Sequence, residues 1–218
     1  MFRDRLDAGR SLAERLDRYR DRAPIVLALP RGGVPVAAEV SRRLGTPLDV
    51  IVVRKLGVPG HEELAMGAIG EDGARVLNER LIQSARVPSS ALDAVERRER
   101  VVLEERSRSL RARHPRLDLE NRFVILVDDG LATGATARAA ITVARQHGAS
   151  TVVLAVPVGP PSAITELESV ADAVVAVEAP SDFMAVGQWY ADFSPVDDDE
   201  VVRLLDAAAP GTTCAHPA

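Results

Sequence analysis

The sequence predicts an α/β protein, with a three-layer, open, twisted and mostly parallel sheet between helices. Two observations carry this prediction. Short, continuous apolar segments, such as residues 25–29 and 151–156, have the length and composition of strands buried on both faces. Segments with helical spacing of apolar residues lie between them, and this alternation is typical of a parallel sheet.

The first half of the chain supplies helix, strand, helix and strand in that order. Residues 4–19 have the spacing of an amphipathic helix. A strand at 25–29 leads through two glycines into a helix at 35–44, which Gly45 ends. A second apolar strand follows at 48–53.

Residues 54–78 contain five glycines and only weak strand patterns, at 65–69 and 74–77. We predict a mobile loop or a hairpin there.

A charged helix is predicted over 90–113, with Ser90 and Asp93 as a capping box. Its opposite charges at i,i+4 spacing favour a solvated face over a nucleic-acid patch. The remaining predicted elements are strands at 123–127, 151–156 and 173–177 and helices at 136–146, 162–170 and 200–207. We expect residues 208–218 to be disordered.

Composition excludes several classes of protein. A chain of 218 residues with 46% hydrophobic residues can bury a substantial core without disulfides. The net charge of −5 argues against a general nucleic-acid binder, and the single cysteine excludes a Cys-based zinc site. Because no leader or membrane-spanning run is evident, we expect a cytoplasmic protein with no membrane partner.

Several familiar motifs are absent. The chain has no Gly-x-Gly dinucleotide fingerprint and no Gly-x-Ser-x-Gly elbow. A Walker A loop needs Gly-Lys, but the only lysine, Lys55, follows Arg54. His61 and Glu62 begin like a zincin helix, but Ala65 stands where the second histidine would be.

One segment does carry a specific chemistry. The strand at 123–127 ends in Asp128 and Asp129, and a loop of small residues with two threonine hydroxyls runs from there into a helix. Backbone amides at 133–136 can bind a phosphate, and the two carboxylates can accept hydrogen bonds from a vicinal diol. Together they describe a site for a ribose 5-phosphate. The alternative is an Asp-Asp turn with a threonine cap and no ligand.

This segment, residues 124–136, resembles the phosphoribosyl pyrophosphate (PRPP) motif of the type I phosphoribosyltransferases. That motif consists of four apolar residues, two acids and a loop that ends Ala/Ser-Thr-Gly-Gly/Ala-Thr. That family also has a pyrophosphate loop after its first core strand, and residues 29–33 (Leu-Pro-Arg-Gly-Gly) stand in that place. The resemblance covers about residues 25–177. It implies the strand order 3-2-1-4-5-6, with both loops at the topological switch point.

The resemblance also implies a domain organisation: one domain over 1–208, with a helical insertion at 79–120, a C-terminal hood at 180–197 and a disordered tail at 209–218.

The resemblance implies roles for individual residues. Asp128 and Asp129 would hold the ribose hydroxyls and Mg²⁺, and Arg31 and Lys55 would neutralise the pyrophosphate. The further residues expected to bind substrate are Gly32, Gly33, Arg54, Ala132, Thr133, Gly134, Ala135, Thr136 and Trp189.

Two of these assignments have a plain structural alternative. Arg54, Lys55 and the loop at 56–73 stand where the family has its flexible lid, but could form a surface hairpin with incidental charges. Four of the seven aromatic residues, among them Trp189 and Tyr190, fall at 183–193. They could bind the acceptor base or only pin the C-terminal segment to the body.

The activity implied is transfer of phosphoribosyl from PRPP to a nitrogenous acceptor, a base or an amine, with release of pyrophosphate, as in nucleotide metabolism. Ala132 stands where 6-oxopurine enzymes usually have an aspartate, which disfavours hypoxanthine and guanine. A regulatory protein that senses PRPP or a nucleotide is the alternative, although Arg31 and the basic lid favour an enzyme. The resemblance also allows a homodimer.

Overall fold

The computed structural model describes residues 1–208, apart from the side chain of Glu63, and contains the predicted alternation of strands and helices. The strands are β1 (Ile25–Ala28), β2 (Leu48–Val50), β3 (Val53–Val58), β4 (His61–Gly70), β5 (Arg75–Leu77), β6 (Phe123–Val127), β7 (Thr151–Val158) and β8 (Ala173–Glu178). The helices are α1 (Arg5–Leu16), α2 (Gly33–Leu44), α3 (Glu79–Ser84), α4 (Ser89–Arg111), α5 (Ala135–Gln146), α6 (Pro161–Leu167) and α7 (Asp198–Ala208).

The main sheet has five parallel strands in the order β2-β1-β6-β7-β8. Alternate side chains of each strand enter different cores, since successive residues of a strand point to opposite faces. Val26 and Ile125 pack in the core that contains residues of α1, α2 and α7. Leu27 and Leu126 pack in the core on the other face, with residues of α5 and α6. The predicted α/β fold class, with helices on both faces of a parallel sheet, is therefore confirmed.

The sheet differs from the six-strand order in one respect. The chain leaves β2 at Val50, and β3 pairs antiparallel with β4, which pairs with β5 in a separate three-stranded sheet. Glycines allow this close packing, because a Cβ on Gly57 would lie 2.6 Å from the Glu62 carbonyl oxygen. The glycine-rich segment is thus a hairpin with a third strand.

The segment at 79–120 holds α3 and α4, and α4 lies against β3 and β4. The first residue of α4, Ser89, follows Pro88. No side chain caps this helix, so the predicted capping box of Ser90 and Asp93 is wrong. Proline without an N–H fits this position because the first amides of a helix have no partner within the helix.

The C-terminal end of α4 is fixed to the sheet by Arg111. Its guanidinium lies 2.6 Å from the carboxylate of the buried Asp49 and 2.8 Å from that of Glu71. Burial alone would raise the pKa of Glu71, but hydrogen bonds from Arg111 and Ser107 outweigh it and hold that pKa below its usual value.

The last helix, α7, begins at Asp198, two residues before the predicted start. Asp198, Asp199 and Glu200 fill its first turn, where the helix dipole favours negative charge, and Asp197 accepts a hydrogen bond from the Glu200 amide. The expected disordered tail, beyond Ala208, lies outside the described residues. Within residues 1–208, no helix is both long and apolar enough to cross a membrane.

Candidate functional site

The loops that follow β1 and β6 lie side by side at the carboxyl edge of the main sheet. Ala28 is in register with Val127, and the Leu29 amide donates a 2.8 Å hydrogen bond to the Val127 carbonyl. The first loop then turns tightly into α2, because the Gly33 amide bonds back to the Leu29 carbonyl at 3.0 Å. A Cβ on Gly33 would lie 2.7 Å from the Val127 carbonyl oxygen, so this turn requires glycine.

The predicted acid pair stands at this edge, at the end of β6. Both side chains are partly buried, and one carboxylate oxygen of Asp128 accepts a 2.9 Å hydrogen bond from the Asp129 amide. Burial, and next the negative charge of Asp129, raise the pKa of the Asp128 carboxyl well above its usual value. A cation or a hydrogen-bond donor brought between these carboxylates would relieve that repulsion.

Asp129 also has a partner that the sequence did not indicate. Arg5, on the first turn of α1, places its Nε 2.8 Å from a carboxylate oxygen of Asp129, and both side chains are largely buried. The same guanidinium bonds to the Ser194 carbonyl and stacks on the Phe193 ring at 3.9 Å. Arg5 therefore joins the acid pair to the C-terminal segment.

The Tyr190 hydroxyl is the second contact to Asp129 that sequence reasoning missed. It donates a 2.6 Å hydrogen bond to the Asp129 carbonyl. Burial, and next the charge of Asp129, raise the pKa of this phenol well above its usual value, so it stays a donor at neutral pH. A lone arginine in an amphipathic helix and one tyrosine in an aromatic cluster carry no sequence signal for this contact.

The small-residue loop runs from Gly130 into α5, as predicted. Gly134 has a positive φ of 72° and caps the helix, whose first residue is Ala135. Thr133 and Thr136 are exposed, and the Ala135 amide lies 3.4 Å from the Thr133 hydroxyl. The loop thus presents both hydroxyls and the first amides of a twelve-residue helix to an incoming anion.

The predicted cations lie on two different elements. Arg31 is exposed on the loop after β1, where its guanidinium lies 3.9 Å from the Asp198 carboxylate. Arg54, on β3, instead forms hydrogen bonds of 2.6 and 2.8 Å with Glu99 of α4. Lys55 follows it on the strand and, by strand alternation, points to the opposite face from Arg54. In this arrangement Arg54 belongs to the α4 contact, and no described contact brings Lys55 to the acid pair.

The aromatic segment packs against the N-terminus of the chain. The Phe2 amide donates a 2.7 Å hydrogen bond to the Trp189 carbonyl, and the Tyr190 ring lies 5.6 Å from the Phe2 ring. The Trp189 side chain is half-buried against this cluster, and its Nε1 is buried without a hydrogen-bond partner. The contacts observed are thus those expected if the aromatic segment pins the C-terminal part of the chain to the body. An acceptor-binding role for Trp189 stays a prediction.

Asp128 and Asp129 offer two carboxylates to a metal at this edge of the sheet. In the described residues, no group of three or more His, Cys, Asp or Glu side chains could hold a metal ion. Mg²⁺ is commonly held by one or two carboxylates together with substrate phosphates and water. Asp128 and Asp129 therefore fit Mg²⁺ that arrives with a phosphorylated substrate.

Comparison with known proteins gives a consistent result. The family model of the phosphoribosyl transferase domain matches residues 70–193, more than half of the chain. The match includes the acid pair and the loop at 132–136, whereas Arg31 and Lys55 precede it.

Two curated proteins from Mycobacterium tuberculosis strains CDC 1551 and H37Rv, each named "Putative phosphoribosyl transferase", are 53% identical to this chain over 208 residues. The alignment covers 95% of this chain and 47% of each relative, so the chain spans about half the length of the curated relatives it matches. The crystal structure of TT1426 from Thermus thermophilus is 47% identical with a TM-score of 0.88, and the alignment covers 94% of this chain and 97% of that chain.

Proposed function

The chain belongs to the phosphoribosyl transferase family, and from this premise we propose that it transfers phosphoribosyl from PRPP to a nitrogenous acceptor and releases pyrophosphate. One observation carries the proposal. The acid pair Asp128–Asp129 and the anion-presenting loop at 132–136 follow the same strand and lie beside the glycine loop of Arg31. In open α/β sheets, the crevice at the carboxyl ends of such strands is where ligands bind.

The proposed binding mode divides PRPP among three parts of the site. The 5-phosphate binds the amides and hydroxyls at 133–136, and the ribose hydroxyls bind Asp128 and Asp129. The pyrophosphate lies toward Arg31 and the Gly32 amide, since the Gly33 amide already donates to the Leu29 carbonyl. Mg²⁺, when bound with PRPP at Asp128 and Asp129, supplies positive charge to the leaving pyrophosphate.

Loss of pyrophosphate leaves positive charge on the ribose ring, and the protein can stabilise this state without covalent chemistry. In this binding mode the negative charge of Asp128 and Asp129 lies near the ring and stabilises the positive charge that develops there. Arg5 and the Tyr190 hydroxyl hold Asp129 at its side chain and its backbone, so its position is set before substrate arrives. The acceptor nitrogen then attacks the anomeric carbon as the bond to pyrophosphate breaks.

A second function, binding PRPP or a nucleotide without turnover, is supported by a different observation. Arg54, one of the two predicted lid cations, is held by Glu99, and the segment around it forms a three-stranded sheet. A site whose basic segment does not close over the ligand would bind that ligand without catalysing its reaction.

The experiment that separates the two functions measures pyrophosphate release from PRPP and Mg²⁺ across a panel of adenine, pyrimidines and simple amines. An enzyme releases pyrophosphate with at least one acceptor well above the acceptor-free rate. A sensor binds PRPP in calorimetry with release unchanged across the panel. Absence of both PRPP binding and release would refute the proposed function in either form.

A further inference from the structure

The inner face of α4 carries an arginine at a position where a helix of this kind has an apolar residue. The residues that face the hairpin and the core recur every three or four positions, the period of one helix face. They are Leu92, Val95, Glu99, Leu103 and Leu110. Arg106 lies three residues after Leu103 and four before Leu110, and it is half-buried. It therefore stands on the same face as these residues.

The two charged residues of this face differ in how their charge is satisfied. The Glu99 carboxylate binds Arg54 at 2.6 Å and Arg98 at 3.1 Å. Arg106 forms no ion pair or side-chain hydrogen bond within the described part of the chain. A half-buried guanidinium without a carboxylate is unfavourable unless something else supplies negative charge.

The nearest charges around Arg106 add to this imbalance. Burial lowers the pKa of Arg106, the positive charges of Arg31 and Arg54 lower it further, and the negative charge of Asp198 acts in the opposite direction. Glu99 binds Arg54 and lies seven residues before Arg106, so Arg54 contacts α4 about 10 Å along the helix axis from Arg106. Arg31, on the loop after β1, and Arg54, on β3, thus both lie close enough to Arg106 of α4 for their charges to act on it.

We propose that Arg106, together with Arg31, forms a polyanion-binding site for the pyrophosphate group of the substrate. This assignment rests on the proposed function, since it extends the pyrophosphate site from the loop of Arg31 to the inserted helix α4. Arg31 lies on the loop beside the acid pair, and Asp198, whose carboxylate is 3.9 Å from Arg31, also acts on Arg106. Bound pyrophosphate would replace the long Arg31–Asp198 contact and neutralise the guanidinium groups of Arg31 and Arg106.

The test measures binding of inorganic pyrophosphate, with and without Mg²⁺, by calorimetry on the full chain. Arg106→Leu is the informative variant, because leucine continues the apolar face of α4 and removes the guanidinium group with its charge and its hydrogen-bond donors. We expect its pyrophosphate affinity to fall roughly 10- to 100-fold, the loss for one or two charge-assisted hydrogen bonds. The melting temperature should be unchanged or higher. Arg97→Gln, on the exposed face of the same helix, should leave the pyrophosphate affinity within about twofold.

Asp198→Asn should have the opposite effect on pyrophosphate affinity. Removal of the competing carboxylate should tighten pyrophosphate binding by a few-fold.

Ribose 5-phosphate is the probe that separates this inference from the proposed function. We expect Arg106→Leu to bind ribose 5-phosphate as the unmodified protein does. Equal pyrophosphate affinity in Arg106→Leu and Arg97→Gln, with ribose 5-phosphate still bound, would overturn the role of Arg106 alone. Failure of the unmodified protein to bind ribose 5-phosphate would instead refute the proposed function. If Arg106→Leu does not fold, Arg106→Gln carries the same expectations.

Discussion

Gly32 lies so close to the carboxylate of Asp129 that a Cβ atom on it would be 2.1 Å from Oδ2. The loop after β1 and the acid pair after β6 are therefore in direct contact, although 97 positions separate the two residues (129 − 32). The absence of a side chain at Gly32 leaves room for the Asp129 carboxylate and its bond to Arg5. The two loops thus form one site.

Gly32→Ala should lower PRPP affinity by about 10- to 100-fold, because the added methyl group displaces the Asp129 carboxylate from its hydrogen-bonded position. Gly45→Ala, at the other end of α2, is the matched control. Gly45 has a φ of +68° and open space around it, so alanine there should cost about 1 kcal/mol of stability through backbone conformation alone. Calorimetry measures the PRPP affinity of both variants, and thermal melting measures their stability. A Gly32→Ala variant with unchanged PRPP affinity would contradict the contact.

The phosphate-binding role that we propose for the loop at 132–136 predicts an anion in a crystal grown from sulfate or phosphate. We expect it within hydrogen-bond distance of backbone amides between Thr133 and Thr136, at the N-terminus of α5. The measurement is the crystallographic difference density beside the loop, in which the bound anion should be visible. A well-ordered loop folded onto its own side chains, in a crystal grown at high sulfate concentration, would exclude this role.

Trp189→Ala separates the two roles left open for the aromatic segment. The contacts of Trp189 with the N-terminal cluster indicate that the variant should lose stability, by about 2 kcal/mol for a half-buried indole. Its affinity for ribose 5-phosphate should be nearly unchanged, because a different loop binds the phosphate. The measurements are urea unfolding and calorimetry. Unchanged stability together with impaired acceptor use would show that Trp189 serves the acceptor and not the packing.

Arg111→Met should destabilise the protein by about 3–5 kcal/mol at neutral pH, because it leaves the buried Asp49 and Glu71 without their cation. The difference should shrink in acid. Arg111 and Ser107 lower the pKa of Glu71, so the unmodified protein loses this stability as pH falls below about 4.3, the value for an unfolded glutamate. In the variant, burial raises that pKa, so stability should increase as pH falls toward the same value. Unfolding free energies that differ by a constant amount from pH 7 to pH 3 would contradict this assignment.

The main sheet and its order of elements were predictable because they depend on local patterns. Buried parallel strands such as β6 are continuous apolar runs, and helices such as α2 end at a glycine. The acid pair and the loop after it were predictable for the same reason, since they are contiguous along the chain. Their place beside the loop of Arg31 follows from the pairing of β1 with β6.

Contacts between distant segments could not be predicted in this way. The bond from Arg5 to Asp129 joins residues 124 positions apart, and Arg54 meets Glu99 across 45. Such pairs depend on how α1 and α4 pack, and a single sequence with 26 arginines gives no indication of which arginine binds which carboxylate. The glycines at 57 and 67 were ambiguous too, since a mobile loop and a close-packed hairpin both require them.

The measurement that tests the central claim most directly is PRPP binding, in the presence of Mg²⁺, by the unmodified protein and by the double variant Asp128→Asn with Asp129→Asn. Each lost charge-assisted hydrogen bond should cost about 1.5–3 kcal/mol, so the double variant should bind PRPP at least roughly 100-fold more weakly. It should retain a circular-dichroism spectrum like that of the unmodified protein, because both side chains are at the end of β6 and outside the apolar cores. Equal PRPP affinity in the two proteins, or no PRPP binding by the unmodified protein, would contradict the assignment of this site.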